Sequence, residues 1–443
     1  MPSPPTATAL VLATLGLALA AVPPAPAATE PDVLHLALGD PARKDHVAPV
    51  VLDAVTDTRT GELLTPGELP ARLADVQVLF VGENHTSMDF HRTQLRVLQE
   101  LVASGRPVLV GLEMYPYTQQ QYLDQWNRGQ LTEKGFLELS HWYDAWGFPW
   151  DYYRELFVFA RDHGVPMFGI NTPRKVVSDV REKGFAGLTD EERSHIPETI
   201  DTSSAEHRRL FRAFLADATD SMHLSMSDEQ LDAMYNAQCT WDATMGYNAV
   251  RALEEHGAPG AIMVVLIGSG HVAYDLGAQR QAAHWFHGKM ASLLPVPVED
   301  PDHEPVPDVQ ASYADFVWGL PREADPLFPS LGFSTVAVSD QDTRRRVIFV
   351  PEESVAARAG FEVGDVLLTL DGTPLPERET YNRLMAAKRW GDVARFTVRR
   401  GDQTIELTAL LRRLPEEPRE KPTPEGSPAP APRTGSPSPS PGR

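Results

Sequence analysis

The sequence predicts an α/β fold: a mostly parallel sheet flanked by helices, with a helical insertion, followed by a small β-rich domain. Short apolar runs rich in β-branched residues end at glycine, at residues 76–81, 108–110, 165–168 and 262–267. Such runs are typical of buried parallel strands. Helical patterns lie between them, which indicates βαβ units. From about residue 326 the pattern changes to short strands and tight turns, which indicates the separate β-rich domain.

Two stretches outside these runs also carry clear local signals. Residues 50–55 and 62–64 flank a turn at 58–61, and the three together predict a β-hairpin. Residues 295–309 carry five prolines. Because proline cannot donate to a sheet ladder, we predict an extended connection there rather than the centre of a strand.

The predicted helices begin at recognisable caps. Thr86 or Ser87 can cap a helix that runs to about Ala103. A long helical pair is predicted at 203–224 and 227–256, and the second helix of the pair starts at a Ser-Asp cap. We expect these helices to cover the faces of the parallel sheet.

Composition divides the chain into a signal peptide, an α/β domain, the β-rich domain and a disordered Pro-rich tail, predicted at 1–28, 29–322, 327–413 and 414–443. The apolar stretch 9–22 is too short to cross a bilayer, and Ala25-Pro26-Ala27 fits a cleavage site. We therefore expect a secreted or periplasmic, soluble protein. The alternative is a disordered, Ala/Pro-rich start.

Charge and cysteine content exclude several classes of protein. The formal net charge of −21 argues against binding nucleic acid or an anionic membrane surface. Cys239 is the only cysteine, which excludes an internal disulfide and a Cys-based zinc site. No cysteine follows the apolar stretch at the start, so a lipoprotein anchor is not expected. Cys239 itself is expected to be a small buried residue.

Polar side chains follow each of the four predicted parallel strands. Glu83 and His85 follow the first, Glu113 the second, Asn171 the third and His271 the fourth. Because the carboxyl ends of parallel strands share one edge of the sheet, where ligands bind, we expect these residues to converge. Taken singly each is weak support for a site, since a polar residue after a buried strand is common.

Three more residues are predicted to line this site. His91 lies on the inward face of the first turn of the helix after His85. Gln238 and Asp242 are four positions apart, hence on one helical face, just before the His271 strand. For this last pair an exposed polar stripe is an equally good interpretation.

Residues 115–153 hold an unusual concentration of aromatic side chains, including four of the eight tryptophans. This segment follows the Glu113 strand and is expected to overhang the site. Its aromatic roof would suit a flat apolar ligand. The alternative, which we favour for most of these rings, is that they form the core of a helical insertion.

The donor set Glu83, His85, Glu113 and His271 is one that zinc, manganese or iron takes in proteins. A centre of this kind that is open on one side could activate water for hydrolysis. A metal-free alternative uses a carboxylate as base and a histidine as acid. The same four residues are therefore the candidate metal ligands and the candidate catalytic residues.

The motifs resemble those of the ChaN haem-binding uptake family. Gly82-Glu83-Asn84-His85 looks like its opening motif, and the match continues in order through Gly111–Met114, Gly169–Asn171, Ala237–Asp242, Gly268–His271 and Ala314–Trp318. The resemblance implies export, haem binding in iron acquisition, haem stacked at a homodimer interface, and tyrosine ligation. Tyr115, Tyr117 and Tyr143 are candidate haem ligands by position. The paired Gly-x-x-His steps and Glu113 are also similar to the wider Tiki, TraB and erythromycin-esterase group, which implies a metal-dependent protease or esterase.

The β-rich domain resembles a bacterial PDZ module of the protease-associated kind. Leu331-Gly332-Phe333 looks like its carboxylate-binding loop, and 354–361 with 363–367 looks like its most specific stretch. The resemblance implies that a protein C-terminus or an extended peptide adds a strand to a sheet edge.

Three hypotheses follow for the whole chain. The first is an exported haem-binding protein whose PDZ domain recruits a partner. The second is a metal-dependent hydrolase that uses Glu83, His85, Glu113 and His271. The third is a non-catalytic PDZ scaffold. The sequence ranks haem binding first and hydrolysis close behind it.

Overall fold

The computed structural model describes residues 32–220, 226–298, 305–321, 326–339 and 341–413. The predicted signal peptide and the predicted Pro-rich tail lie outside the described residues. No helix within the described ranges combines the length and the apolar character needed to span a bilayer.

The strands are numbered in chain order: β1 (Val47–Pro49), β2 (Val55–Asp57), β3 (Glu62–Leu64), β4 (Val78–Glu83), β5 (Val108–Pro116), β6 (Met167–Asn171), β7 (Ile262–Gly268), β8 (Met290–Pro297), β9 (Asp308–Gln310), β10 (Phe316–Leu320), β11 (Ser334–Ser339), β12 (Asp342–Phe349), β13 (Val366–Leu370), β14 (Thr373–Pro374), β15 (Val393–Arg400) and β16 (Gln403–Leu410).

The α-helices are α1 (Leu69–Arg72), α2 (Met88–Ala103), α3 (Gln120–Asn127), α4 (Glu133–Leu139), α5 (Trp142–Ala145), α6 (Arg154–Asp162), α7 (Arg174–Lys183), α8 (Asp190–Arg193), α9 (Ala205–Asp220), α10 (Asp228–His256), α11 (Ala278–Ala282), α12 (Val355–Ala359) and α13 (Arg378–Ala386). Ser87 caps α2 by accepting a hydrogen bond from the Phe90 amide, and Ser227 caps α10 in the same way from Gln230.

The α/β domain is built on one eight-stranded sheet in the order β3-β2-β10-β8-β4-β7-β5-β6. The six strands from β10 to β6 are parallel, and the β2–β3 hairpin adds an antiparallel edge. The four Gly-terminated runs are β4, β5, β6 and β7, as predicted. The fold class and the hairpin are confirmed.

One prediction about the sheet is wrong. Residues 295–297 belong to β8, which lies inside the sheet between β4 and β10, rather than to an extended connection. β4 pairs only with Met290–Leu293 of this strand, and the prolines pair with β10 alone. The missing N–H groups of Pro295 and Pro297 therefore break no bond to β4, which is why the strand tolerates them.

Two apolar cores fill the two sides of this sheet. One contains the buried face of α2 and most of the aromatic segment, and the other contains the buried face of α10. Within the aromatic segment, Trp126, Trp142 and Tyr153 are fully buried and pack edge to face with their neighbours. Most of these rings are therefore the core of a helical insertion, which was the alternative interpretation of this segment.

The β-rich domain has its own core and a six-stranded antiparallel sheet, with β11 at one edge. Its helix α13 packs against α5 of the α/β domain. Asn382 Nδ2 donates to the Tyr143 carbonyl at 2.8 Å, and His141 Nδ1 lies 3.0 Å from a Glu379 carboxylate oxygen. The docked helix lies beside the edge of the sheet where the candidate site is found.

An acid pair of the partly exposed Asp275 and the buried Asp315 lies just after His271. Asp275 has a left-handed φ of 58° and accepts a 2.6 Å hydrogen bond from Ser292 Oγ. Burial raises the pKa of Asp275 to about 7, helped by the charge of Asp315 and opposed by Ser292 and by Arg43, which contacts both carboxylates. In the folded protein Asp275 therefore holds its proton at a pH where the unfolded chain has lost it.

This pair predicts a defined dependence of stability on pH. A pKa raised by folding gives stability at low pH that is lost as pH rises from about 4 to about 7. Asp275→Asn removes that dependence and keeps the left-handed backbone, which asparagine adopts readily. We expect thermal melts to show a higher Tm than wild type at about pH 8 and little difference near pH 4. The exposed variant Asp402→Asn is the control, and equal effects of the two variants would contradict the assignment.

Candidate functional site

The predicted residues converge at the carboxyl edge of three adjacent strands, β4, β7 and β5. Gly268, at the end of β7, lies at the centre of the cluster. A Cβ built on Gly268 would lie 3.3 Å from His85 Cε1, 3.6 Å from Glu113 Oε2 and 3.6 Å from His271 Cδ2. Side chains that are distant in the sequence therefore surround one point in space.

Glu83 is fully enclosed between two imidazoles. His85 Nδ1 donates to Glu83 Oε1 at 2.6 Å, and His91 Nδ1 lies 2.9 Å from Glu83 Oε2. Tyr153 also donates to Oε1 at 3.2 Å. Burial alone would raise the pKa of Glu83, but the two histidines outweigh it and lower the pKa to about 2. Glu83 is therefore a buried anion that fixes the ring of His85.

His271 is fixed in a similar way by a second buried carboxylate. The short 3₁₀ turn Ser269–His271 presents the ring, and its Nδ1 donates to Asp242 Oδ1 at 2.5 Å. His207 Nε2 lies 3.4 Å from the other oxygen of Asp242. Burial lowers the pKa of His271, but the Asp242 charge and hydrogen bond outweigh it, so the net shift is upward. Gln238 Nε2 lies 2.9 Å from the same Nδ1.

Glu113 lies beside His271 and contacts the Gly268 backbone. Its Oε2 accepts a 2.6 Å hydrogen bond from the Gly268 amide, and its Oε1 lies 3.5 Å from His271 Nε2. Asn171 donates to the Glu113 carbonyl at 3.0 Å and so holds the strand end rather than the carboxylate.

These side chains form the floor of a cavity of about 460 Å³. His85, Glu113 and His271 face it from the sheet edge. Trp146 and Phe148 pack on the His85 ring at centroid distances of 4.7 and 5.0 Å and form one wall. The remaining lining is mixed polar and apolar, and it includes Asn171, Trp241, Arg174 and Arg378.

The cluster has the donors of a divalent-metal site. One ligand atom each from Glu83, His85 and Glu113 lies within 4.8 Å of the other two. Glu83, however, is enclosed by His85 and His91, whereas His271 faces the cavity. The side chains of the cluster that open on the cavity are His85, Glu113 and His271, and His271 Nε2 lies 3.5 Å from Glu113 Oε1. Glu83 and Asp242 each accept a hydrogen bond from the Nδ1 of a cavity histidine.

The three tyrosines do not face this cavity. Tyr115 is fully buried, donates to or accepts from Ser140 Oγ at 2.7 Å, and has its pKa raised by burial. Tyr117 lies in a different cavity of about 390 Å³, where its hydroxyl contacts His195 Nδ1 at 2.8 Å. Tyr143 packs against the aromatic core and the docked helix α13.

The predicted carboxylate-binding loop precedes the edge strand β11. Leu331 is buried in the core of the domain, and its carbonyl accepts a 2.8 Å hydrogen bond from the Ala356 amide. Gly332 has a left-handed φ of 83°, which favours glycine. Phe333 packs on Phe361 at 5.2 Å.

Sequence reasoning missed several residues that take part in the site. His207 lies in a predicted helix without any sequence signal that would connect it to Asp242. Tyr153 was only one of many aromatic residues in its segment. Arg174 and Arg378 gave no signal either, since Arg378 belongs to the other domain. Only the fold brings the two arginines to the cavity and brings His207 and Tyr153 to the carboxylates behind it.

The central position of Gly268 predicts a selective loss of ligand binding. Gly268 has an ordinary φ of −57°, so alanine is allowed there, and its methyl would fill the space between the three donors. We expect Gly268→Ala to keep the wild-type Tm within a few degrees and to lower metal affinity at least about tenfold. Gly270→Ala is the control, because a Cβ there meets no atom within 4 Å. Calorimetric titration with Zn²⁺ checks both variants, and unchanged affinity in Gly268→Ala would contradict the geometry.

Comparison with known proteins is consistent with this architecture. The fold and the cluster describe an α/β domain with a group of acids and imidazoles at its sheet edge, joined to a β-rich module. Residues 69–281 match the family described as haem-binding uptake, Tiki superfamily, ChaN, and residues 329–411 match the PDZ domain. The chain therefore carries a ChaN-like domain of the Tiki superfamily followed by a PDZ domain.

Individual relatives are distant. Protein RETICULATA-RELATED 5, chloroplastic, of Arabidopsis thaliana is 24% identical over 211 residues, which are 46% of this chain and 28% of that protein. The structure titled cofacial heme binding to ChaN of Campylobacter jejuni is 17% identical, covers 61% of this chain and 98% of its own, and has a TM-score of 0.47. An erythromycin esterase mutant, EreC, is 11% identical with a TM-score of 0.37, covering 62% of this chain and 98% of its own. The HtrA-type protease AlgW with a decapeptide is 26% identical over 20% of this chain and 30% of its own, with a TM-score of 0.19.

Proposed function

We propose that the cavity is a divalent-metal centre that hydrolyses an ester or peptide bond. One observation carries this proposal: His85 and His271 each bind a buried carboxylate through Nδ1, which leaves Nε2 of both rings for the cavity. Metal-ligating histidines in proteins are oriented by carboxylates in this way. Two imidazoles and one carboxylate that leave positions open are a common set for a reactive metal.

The residues present fit a metal of the zinc, manganese or iron type. His85, His271 and Glu113 would hold it, and it would supply polarisation of a carbonyl group and activation of water. Glu83 and Asp242 hold Nδ1 of the two imidazoles, so Nε2 is the nitrogen that would release its proton and bind the ion. The Gly268 amide holds Glu113 in place by its hydrogen bond to Oε2. Trp146 and Phe148 keep water away from one side of the His85 ring.

Metal analysis and hydrolysis assays on one purified sample test the proposal. We expect about one divalent ion per chain, hydrolysis of chromogenic esters or of a peptide library, and loss of that activity on treatment with a chelator. Activity should return when the metal is added back. The absence of stoichiometric metal after incubation with zinc, manganese and iron would refute the proposal.

Haem binding remains the second candidate function. It is supported by the match of residues 69–281 to the ChaN-like family and by the aromatic wall of Trp146 and Phe148. Because the three tyrosines lie away from the cavity, His85 Nε2 is the donor that we propose for haem iron. Titration with hemin tests this function: a Soret shift that is lost in His85→Ala supports it, and no shift at micromolar hemin rejects it.

The PDZ domain is proposed to bind an extended peptide or a protein C-terminus along β11. Among the described strands β11 pairs with β12 alone, so its other edge can accept an added strand. Export, a homodimer and a role in iron acquisition also remain proposals. If neither metal nor haem binds, the remaining hypothesis is a non-catalytic PDZ scaffold.

A further inference from the structure

Two arginine side chains also line the cavity that holds the acidic cluster. Arg174 begins α7 of the α/β domain, and Arg378 begins α13 of the PDZ domain. Both reach the same short segment at the end of α5: Arg174 Nη2 donates to the Trp146 carbonyl at 3.2 Å, and Arg378 Nη1 lies 3.5 Å from the Asp144 carbonyl. Two domains therefore bring cationic groups to one wall.

The position of Arg378 depends on close backbone contact between the domains. Gly147 has a left-handed φ of 95°, and a Cβ there would lie 2.7 Å from Arg378 Nη2 and 2.9 Å from Asn382 Nδ2. No side chain other than hydrogen fits under the guanidinium without displacing it. The chain thus has a glycine at the point where the PDZ helix reaches the cavity.

Neither guanidinium has a carboxylate within 4.0 Å among the described residues, unlike those of Arg43, Arg59 and Arg280. Arg378 is half-buried, so its charge lacks full hydration, and the charge of Asp144 acts on it from beyond ion-pair distance. Such a group gains free energy when an anion binds beside it. Arg174 is exposed, so its part in an anion site rests on its place in the cavity lining and its contact with the Trp146 carbonyl.

We infer that Arg174 and Arg378 form a subsite for a carboxylate on the substrate, and that the PDZ domain therefore supplies part of the catalytic cavity. This inference deepens the proposed function and rests on it for the identity of the reacting bond. The substrate class is an ester or amide that carries a carboxylate at one end. That carboxylate binds the arginines, and the scissile bond lies over His85, Glu113 and His271.

A carboxylate fits this subsite better than a phosphate. The cavity is also lined by the carboxylates of Glu113 and Asp144. Two guanidinium groups facing two carboxylates leave little net positive charge for a dianion, whereas a monoanion can bind to the guanidinium fork.

The competing interpretation is that Arg378 serves only to dock the PDZ domain. Asn382 distinguishes the docking interpretation from the subsite interpretation, because it makes a docking hydrogen bond to the Tyr143 carbonyl and does not line the cavity. Asn382→Ala therefore removes one docking hydrogen bond without removing a group that lines the cavity.

Calorimetric titration of the metal-free protein tests the subsite without turnover. The probes are 4-phenylbutyrate, its neutral primary amide, and 3-phenylpropyl phosphate. We expect the acid to bind at least about tenfold more tightly than the amide, a preference of about 1.4 kcal/mol. Arg174→Ala and Arg378→Ala should each remove most of that preference and leave the affinity for the amide unchanged. Asn382→Ala should keep the preference.

Four results would overturn the inference: equal affinity for acid and amide, no binding of either, tighter binding of the phosphate, or the same loss in Asn382→Ala as in Arg378→Ala. The titration needs neither metal nor hydrolysis. If the acid preference holds and no metal binds, the proposed function fails while the carboxylate subsite stands.

Discussion

Replacing His271 with alanine is expected to remove metal binding and hydrolysis together. The ring supplies one of the two imidazoles that open on the cavity, and the variant leaves Asp242 buried without its closest partner. Loss of a metal that stabilises transition-state charge by several kcal/mol lowers kcat/KM by about a thousandfold or more. Metal content measured by elemental analysis should fall from about one ion per chain to near zero in dialysed protein.

The matched control is His287→Ala, which removes an exposed histidine from the segment between α11 and β8. It should keep both metal content and activity. A His271→Ala protein that retained a full complement of metal and wild-type kcat/KM would show that this imidazole lies outside the centre. Circular dichroism of each variant establishes that it is folded before the comparison is made.

Glu83→Gln is expected to have the largest effect on stability. The variant removes a buried negative charge from between His85 and His91 and leaves His91 buried without its counterion. Breaking a buried ion pair from one side lowers the free energy of unfolding by about 3–5 kcal/mol. Because Glu83 also orients His85, the same change should lower metal affinity by about 10- to 100-fold.

The contributions of Glu83 and His85 to the free energy of unfolding depend on pH, and each is lost on a different side of neutrality. The pKa of Glu83 is lowered to about 2 by the two histidines against the effect of burial, so its contribution is present above about pH 4.5 and is lost as pH falls toward 2. The pKa of His85 is raised to about 9, because its bond to Glu83 outweighs burial. Its contribution is present below about pH 6.5 and is lost as pH rises toward 9.

Denaturant titrations of the metal-free protein check this prediction. The difference in unfolding free energy between wild type and Glu83→Gln should be largest near pH 6 and should shrink toward about pH 3 and about pH 9. Glu254→Gln, an exposed position on α10, is the control and should show no such maximum. A difference that stays constant across this range would mean that Glu83 contributes packing rather than charge.

The histidine of each Gly-x-x-His step lies in one of two similar groups of side chains. In each, a cavity histidine binds a buried carboxylate, and a second histidine lies beyond that carboxylate: His85–Glu83–His91 in one, and His271–Asp242–His207 in the other. Sequence analysis placed Glu83 among the metal ligands and Asp242 among the lining residues. In the structure each of them accepts a hydrogen bond from the Nδ1 of a cavity histidine, and Glu83 also belongs to the group whose ligand atoms could hold a metal.

These two similar His–carboxylate–His arrangements change the order of the functional hypotheses. Haem binding ranked first on sequence because of the family resemblance and the aromatic segment. The structure places Tyr115, Tyr117 and Tyr143 away from the cavity and gives most of the aromatic rings to the core. The oriented imidazoles and Glu113 remain, and they support hydrolysis at a metal centre more directly.

The sequence by itself determined the four Gly-terminated strands, their parallel arrangement, and the polar residues at their ends. Those features depend on local patterns: a buried strand must be apolar along its length, and glycine followed by a polar residue indicates where it ends. The close approach of His85, Glu113 and His271 around Gly268 follows from that parallel arrangement.

Only the tertiary structure decided which atoms face the cavity. The side of an imidazole that stays free depends on a carboxylate from a remote helix or strand, as Asp242 on α10 shows for His271. The wall opposite depends on α13 of another domain, which brings Arg378 into the same cavity. Such contacts produce no periodic pattern in the sequence, because they are stabilised by packing between distant segments and not by local propensity.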